Sequence, residues 1–353
     1  MRSRCLVLVL LAACDGEIVG GGGPPDGAPP APDAESLPDA EPPPPDASIE
    51  PTTLAETGLY SDFASETLAP GVVEYTVNHE LWADGATKRR FVLLPEGAQV
   101  DTTDMDFWSL PAGTKLWKEF TSGGTRVETR LLWKQGETND DWFTMSYAWN
   151  EAGSEALASE EGAEDALGTE HDIPRATACK TCHQRQPGFA LGFSALQLDH
   201  DEGEVNLAAL VEQKRLSDPP EVTGVPVFPL PGEPVDQAAL GYLHGNCGPC
   251  HNEFSDVLDR SSVIWHLDSD SLASVDETTI FQTAVGQPPD IVLEPTTSII
   301  EPGDRDASAA FVRMTQRDPK EDSVVPMPPL ATEQPDTEGG VAAVGAWIDS
   351  LDQ

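Results

Sequence analysis

The chain has 353 residues, with 61 acidic side chains against 20 basic ones and a formal net charge of -41. It is long enough for two folded domains and too negative to hold a phosphate backbone, which excludes nucleic-acid binding. Such a surface favours cations and partners with basic docking surfaces, in an association that weakens as salt rises.

Residues 1–14 read as a lipoprotein signal peptide. Arg2 and Arg4 precede an apolar run over 5–13, too short to cross a bilayer, which takes about 20 residues. Leu11-Ala12-Ala13-Cys14 looks like a lipobox, in which Cys14 becomes the lipid-modified first residue; an ordinary signal peptide cut nearby is the alternative. Residues 15–55 form a linker. Between 15 and 50 there are ten prolines, six glycines and nine acidic residues, with no lysine or arginine, a composition that cannot build a core. Extended at about 3.1 Å per residue, such a tether reaches on the order of 100 Å from a membrane.

Residues 56–172 are expected to form a β-rich domain. Short β-type runs at 72–77, 90–94 and 126–133 are cut by turn signals, and Gly123-Gly124 predicts a hairpin. Residues 173–234 form a first motif-bearing segment that ends in a Pro-rich break at 219–234. From 235 to 353 the pattern is helical, and Val341, Val344, Ile348 and Leu351 fall on one face of a terminal helix. The expected fold class is α+β: a β-rich N-terminal domain followed by an all-α C-terminal domain.

Two pentapeptides carry the chemistry: Cys179-Lys180-Thr181-Cys182-His183 and Cys247-Gly248-Pro249-Cys250-His251. C-x-x-C-H is the pattern that covalent haem c attachment requires: two thiols add to the haem vinyl groups and the adjacent His reaches iron. Cys179, Cys182, Cys247 and Cys250 would bind two haem c groups, with His183 and His251 as axial ligands. With Cys5 leaving in the leader and Cys14 lipidated, the motifs use every remaining cysteine. A thioredoxin reading of Cys247-Gly248-Pro249-Cys250 needs a preceding strand, whereas 240–243 reads as helix. A zinc site from the same cysteines would span 64 residues between pairs, against 15–20 for a ribbon, and leaves both histidines unexplained.

A helix leading into the second motif, a long connection, then Met-Pro-Pro and a terminal helix make 235–353 resemble a small single-haem cytochrome c domain. Met327, in Pro326-Met327-Pro328-Pro329-Leu330, is the expected second ligand with His251, because the prolines stiffen a loop that must present a thioether. His/Met ligation raises the reduction potential. Met314 shares an apolar helical face with Ala310 and Phe311 and reads as core. The first motif has no clear sixth ligand; His79, Met145, His171, His200 and His244 are the candidates. With none of them bound, the iron would be five-coordinate and open to reaction.

These motifs accompany Asn78-His79-Glu80-Leu81-Trp82-Ala83-Asp84-Gly85-Ala86-Thr87-Lys88-Arg89, Glu128-Thr129-Arg130-Leu131-Leu132, Tyr147-Ala148-Trp149-Asn150, Tyr242-Leu243-His244-Gly245-Asn246-Cys247, Glu301-Pro302-Gly303-Asp304 and Met327-Pro328-Pro329-Leu330. With them the chain resembles a family of exported bacterial dihaem c-type cytochromes of largely unassigned role. The resemblance implies two haems and an exported location. The expected function is one-electron transfer on the periplasmic side of a membrane, with the chain lipid-anchored through Cys14. The alternatives are a peroxidase-like enzyme with an open first haem fed by the second, and an accessory redox subunit of a larger complex.

Overall fold

A computed structural model describes residues 50–316, 326–329 and 332–352. The expected signal peptide, the lipobox at Cys14, the linker up to residue 49 and Leu330 lie outside the described residues.

Among the described residues, alternating and β-branched runs build eight strands. β1 (Tyr60–Asp62) and β2 (Thr67–Leu68) form a small antiparallel pair. β3 (Val72–Tyr75), β4 (Thr87–Leu93), β5 (Lys115–Ser122), β6 (Thr125–Lys134), β7 (Trp142–Trp149) and β8 (Ala156–Ala158) form a six-stranded sheet in sequence order, every neighbour antiparallel. Ser122 faces Thr125 across the β5–β6 turn. The two residues between, Gly123 and Gly124, sit at φ 55° and 83°, the left-handed pair that a tight hairpin needs and glycine supplies.

Both sheet faces are covered. Phe91, Trp117, Leu131 and Tyr147 point to one side, where Leu54, Leu59 and Tyr60 pack on them. Val92, Leu116 and Trp142 point to the other, under Phe189, Phe193, Leu198, Leu207 and Leu210. The residues after the first motif are therefore the roof of the sheet. The motif itself is the short helix α1 (Cys179–His183), and the roof that follows it carries α2 (Ala195–Leu198) and α3 (Leu207–Glu212).

α4 (Pro234–Asn246) starts with a proline in its first turn and a reciprocal Glu233–Asp236 cap, which satisfies the orphan amides. It crosses α7 (Gly340–Ser350) closely: a Cβ on Gly340 would collide with the Tyr242 ring. Leu240, Leu243, Val344, Trp347 and Ile348 are all at most 1 % exposed, and α5 (Thr279–Ala284) and α6 (Ala309–Thr315) add Ile280, Phe311 and Met314 to the same core. The described residues from Glu50 onward form one compact unit.

The expected division into a β-rich half and an all-α half is overturned. Between α4 and α5, and again between α5 and α6, the chain runs through long irregular stretches. Parallel bridges pair Val285 with Ile300 and Ser298 with Ser308. The physical reason lies in the composition of 286–308, where Gly286, Pro288, Pro289, Pro295, Pro302 and Gly303 break any helical run. The backbone there is satisfied by turns and by side chains such as Ser308, whose hydroxyl accepts from the Glu301 amide.

Candidate metal centre

The first motif lies along β7. A 3-10 turn, Ala176–Ala178, leads into α1; the Thr144 hydroxyl donates to the Ala176 carbonyl at 3.5 Å. His183 Nδ1 lies 2.7 Å from the Phe189 carbonyl. A carbonyl can only accept, so Nδ1 carries the proton and Nε2 is left with the lone pair that a metal needs. Burial lowers the His183 pKa to about 4, keeping the ring neutral. Phe189 in turn stacks on Trp142 at 5.2 Å, which fixes the acceptor.

The second motif continues from α4. The His251 amide donates to Cys247 O at 2.9 Å, and His251 O accepts from Trp265 N at 2.9 Å. His251 Nδ1 is buried with no hydrogen-bond partner at bonding distance. Burial lowers its pKa, and the Val263 backbone pulls the other way. Met327 is half-buried, with its amide donating to Arg313 O at 3.0 Å. The Arg313 charge also acts on His251, so one residue connects the expected ligand pair. Met314 is buried in the α6 core.

The two motifs meet. The Cys182 and Cys250 side chains adjoin without a disulfide. Each is the largest influence on the other's proton, raising Cys182 and lowering Cys250 to about 6. Arg185 seals the junction: its Nη1 lies 3.9 Å from Cys250 Sγ and its Nε donates to Asp256 at 2.9 Å.

Residues 78–84 fasten the assembly. The Asn78 amide donates to Leu196 O and Asp199 O at 2.8 and 3.0 Å. Asn246, one residue before Cys247, accepts from Trp82 N at 2.7 Å and donates to Glu80 O at 3.0 Å. Trp82 Nε1 donates to Gln334 O at 2.9 Å, and Asp84 accepts from the Glu333 and Gln334 amides. One short segment thus ties the roof of the sheet, the second motif and the chain just beyond Met327.

Between the sheet and the chain around the motifs lies a small, partly open cavity of about 40 Å³. His79, Arg90, Asp106, Lys118, His244 and His266 are among its walls. Burial lowers His79 and His266 to about 4 and holds His244 well below the usual range. Burial also raises Asp106 to about 7. On the floor, Arg90 faces Lys118 across β4–β5 and Lys118 faces Arg130 across β5–β6. Arg90 pairs with Glu80 at 2.8 Å, and Arg130 with Glu128 at 2.8 and 2.9 Å. Burial works against the Glu128 charge, yet Arg130 and His171 outweigh it and hold the carboxyl at about 2.

The sixth-ligand candidates scatter. Met145 packs in the core on the opposite sheet face. His171 Nε2 is taken by Glu128 at 2.9 Å. His200 uses Nε2 on Thr76 O and Nδ1 on the Glu202 amide. His244 Nδ1 accepts from Leu267 N at 3.1 Å, and His79 lies against Gly241 of α4. Lys118 and His266 were not singled out by sequence. A lysine in phase with Leu116 and Phe120 on a core strand is the signal that marks the former.

These features fit covalent haem. All four motif thiols are free of disulfides and half-buried, and His183 has the tautomer an iron ligand requires. His251 Nδ1 is buried with no hydrogen-bond partner, while the Val263 backbone acts on the same ring. No group of three or more His, Cys, Asp or Glu side chains among the described residues could hold a bare metal ion; a haem iron takes four ligands from its porphyrin and needs no such group. No helix among the described residues is long and apolar enough to cross a membrane. Comparison with protein-family models, curated proteins and solved structures finds no match.

Proposed function

We propose that the chain is an exported dihaem c-type cytochrome that transfers single electrons between redox partners on the periplasmic side of a membrane, anchored by lipid at Cys14. The observation that carries this reading is the meeting of the motifs, with Cys182 against Cys250 and Arg185 bridging them. Haem iron, cycling between ferric and ferrous states, supplies the one-electron chemistry. The protein's own residues do the rest. Cys179 and Cys182 would hold one group and Cys247 and Cys250 the other. His183 and His251 would ligate iron, with Met327 opposite His251. The Phe189 carbonyl orients His183 and raises its basicity as a donor. Adjoining attachment points favour passage of an electron from one centre to the next over two independent roles. The acidic surface, at a net charge of -41, suits basic docking partners and repels nucleic acid.

The test is the mass and optical spectrum of the mature chain produced with haem-attachment machinery. Two covalent haems, both low-spin when oxidised and indifferent to cyanide, are the expected result. A mature chain without covalent haem overturns the reading. A high-spin haem that reacts with peroxide replaces electron transfer with the enzymatic alternative.

A further inference from the structure

We propose that the groove between α4 and the chain at 225–230 binds a neutral hydroquinone, an aromatic ring with two hydroxyls, as the electron donor to the haems. The redox half of the inference rests on the dihaem reading; the binding half does not.

The first observation is a preformed space. The groove, open to solvent on one side, offers about 740 Å³, inside the roughly 300–1,000 Å³ of small-molecule sites. The inner cavity of about 40 Å³ has room only for water. Asp199 holds one wall of the groove in place: its buried carboxylate accepts from the Val227 and Phe228 amides at 2.8 and 2.6 Å. Leu196, Pro226, Phe228, Leu230 and Tyr242 give that space apolar surfaces and ring faces, which suit a flat ligand.

The second observation is the polar complement. Asn78 spends its amide hydrogens on Leu196 O and Asp199 O, and Gln237 spends its own on Leu230 O and Gly232 O. Both side-chain oxygens are left to accept. The His79 ring makes no hydrogen bond with any described residue, and burial keeps it neutral, so one ring nitrogen is a third acceptor. Acceptors set among apolar walls select a ligand that brings hydroxyl donors. Charge is disfavoured: apolar walls oppose either sign. With Asp199 and Asp201 but no lysine or arginine among the described lining residues, an anion is repelled as well.

The third observation is position. His79 lines both the groove and the inner cavity, on whose wall Pro249 of the second motif lies. It is seated on α4, where a Cβ on Gly241 or Gly245 would collide with it. A ligand hydroxyl on His79 is therefore held against the helix that ends in the second attachment point. Oxidation of a hydroquinone breaks two O–H bonds and yields a quinone, two protons and two electrons. Two ferric haems take one electron each and become ferrous, and the protons leave to water through the open side of the groove. Two adjoining one-electron centres match this donor in count.

The test uses the mature, haem-loaded chain without oxygen, with menadiol as the probe. Calorimetry of the reduced chain, which cannot take electrons, reads binding; stopped-flow absorbance of the oxidised chain reads haem reduction. Wild type should bind menadiol saturably and both haems should be reduced. Ala238→Trp puts a large side chain into the groove from an exposed helical position and should abolish binding and slow reduction by more than about tenfold. His79→Phe should weaken binding about tenfold, the loss of one hydrogen bond. Menadiol binding that is absent, or unchanged in either variant, overturns the site; binding without haem reduction overturns the donor role. A chain carrying no haem sinks the dihaem reading and leaves the calorimetric test of the groove in force. Reduction by menadiol and not by a long-chain quinol in phosphatidylcholine vesicles supports a soluble donor; reduction by both supports one held in lipid.

Discussion

The two C-x-x-C-H motifs share a pentapeptide and little else. The first sits on a floor of ions: Arg90, Lys118 and Arg130 beneath it, and Glu128 at 0 % exposure behind them. The second grows from a 13-residue helix whose inner face is Leu240 and Leu243 against Trp347 and Ile348. One site is positioned by charge and hydrogen bonds, the other by apolar packing, and the same attachment chemistry is thereby given two electrostatic surroundings. Unequal surroundings at two adjoining centres are what separates their potentials and gives an electron a direction.

Two substitutions should cost the most and should differ in kind. Trp347→Ala empties the fully buried second core and is expected to lose about 3–5 kcal/mol at any pH. Arg130→Ala leaves Glu128 buried without its counter-ion and is expected to lose about 3–5 kcal/mol at neutral pH. The second loss should shrink on acidification. In the wild type Glu128 is depressed to about 2; its contribution is full above the unfolded value of about 4.3 and disappears as pH falls through 2. Denaturant titrations of both variants at pH 7 and pH 4 check this, and parallel pH profiles would break the contrast.

The cavity between the sites should give a smaller effect that both share. His79 and His266 titrate near 4 and His244 well below its usual range because burial opposes their charge. Folding therefore prefers neutral rings. The contribution is complete above about 6.5 and is lost as pH falls toward 4. Asp106, raised to about 7, has the opposite sign and is relieved over the same range. Three imidazoles against one carboxyl predict a net loss of stability between pH 6.5 and pH 4.5. His266→Phe, which preserves the stack on Phe107 at 4.4 Å, should flatten that slope; an unaltered slope would show that the imidazole is not involved.

The sheet was legible in the sequence because its signals are local. Alternating runs marked β4 and β6, Gly123-Gly124 marked the hairpin, and the i, i+3, i+7 spacing of Val341, Val344 and Ile348 marked α7. The all-α second half was misread because a cytochrome-like pair of helices, α4 and α7, was extended across 286–308, where prolines and glycines dictate turns. The motif residues could be named from their spacing, but their meeting could not. Cys182 and Cys250 are brought together by tertiary bonds from Asn78, Trp82 and Asn246, side chains with no periodic signature. Lys118 was hidden for a related reason: a lysine between Trp117 and Glu119 reads as surface until the covering of both sheet faces is known.

Asn246→Ala tests that fastening and should cost less than either core change, about 1–3 kcal/mol, since it strands the Trp82 amide and the Glu80 carbonyl. Its effect should fall on the second motif, where Asn246 is one residue from Cys247, and leave the haem at Cys179 and Cys182 spectrally unchanged. Equal disturbance of both haems would mean that the segment 78–84 positions the whole centre and not one side of it.

The smallest expected change in stability is Met327→Leu. Met327 is half-buried and held through its backbone amide on Arg313 O, and a volume-conserving swap of this kind costs less than about 1.5 kcal/mol. The spectroscopic effect should be large by comparison. The haem at His251 should lose its thioether–iron charge-transfer band and open to cyanide, while the haem at His183 keeps its spectrum. A chain in which one haem opens and the other is spared would establish that the second centre is ligated independently despite the Cys182–Cys250 contact. A Met327→Leu chain with an intact band would place the methionine in the packing around Arg313, and the second iron would then need a ligand from elsewhere in the chain.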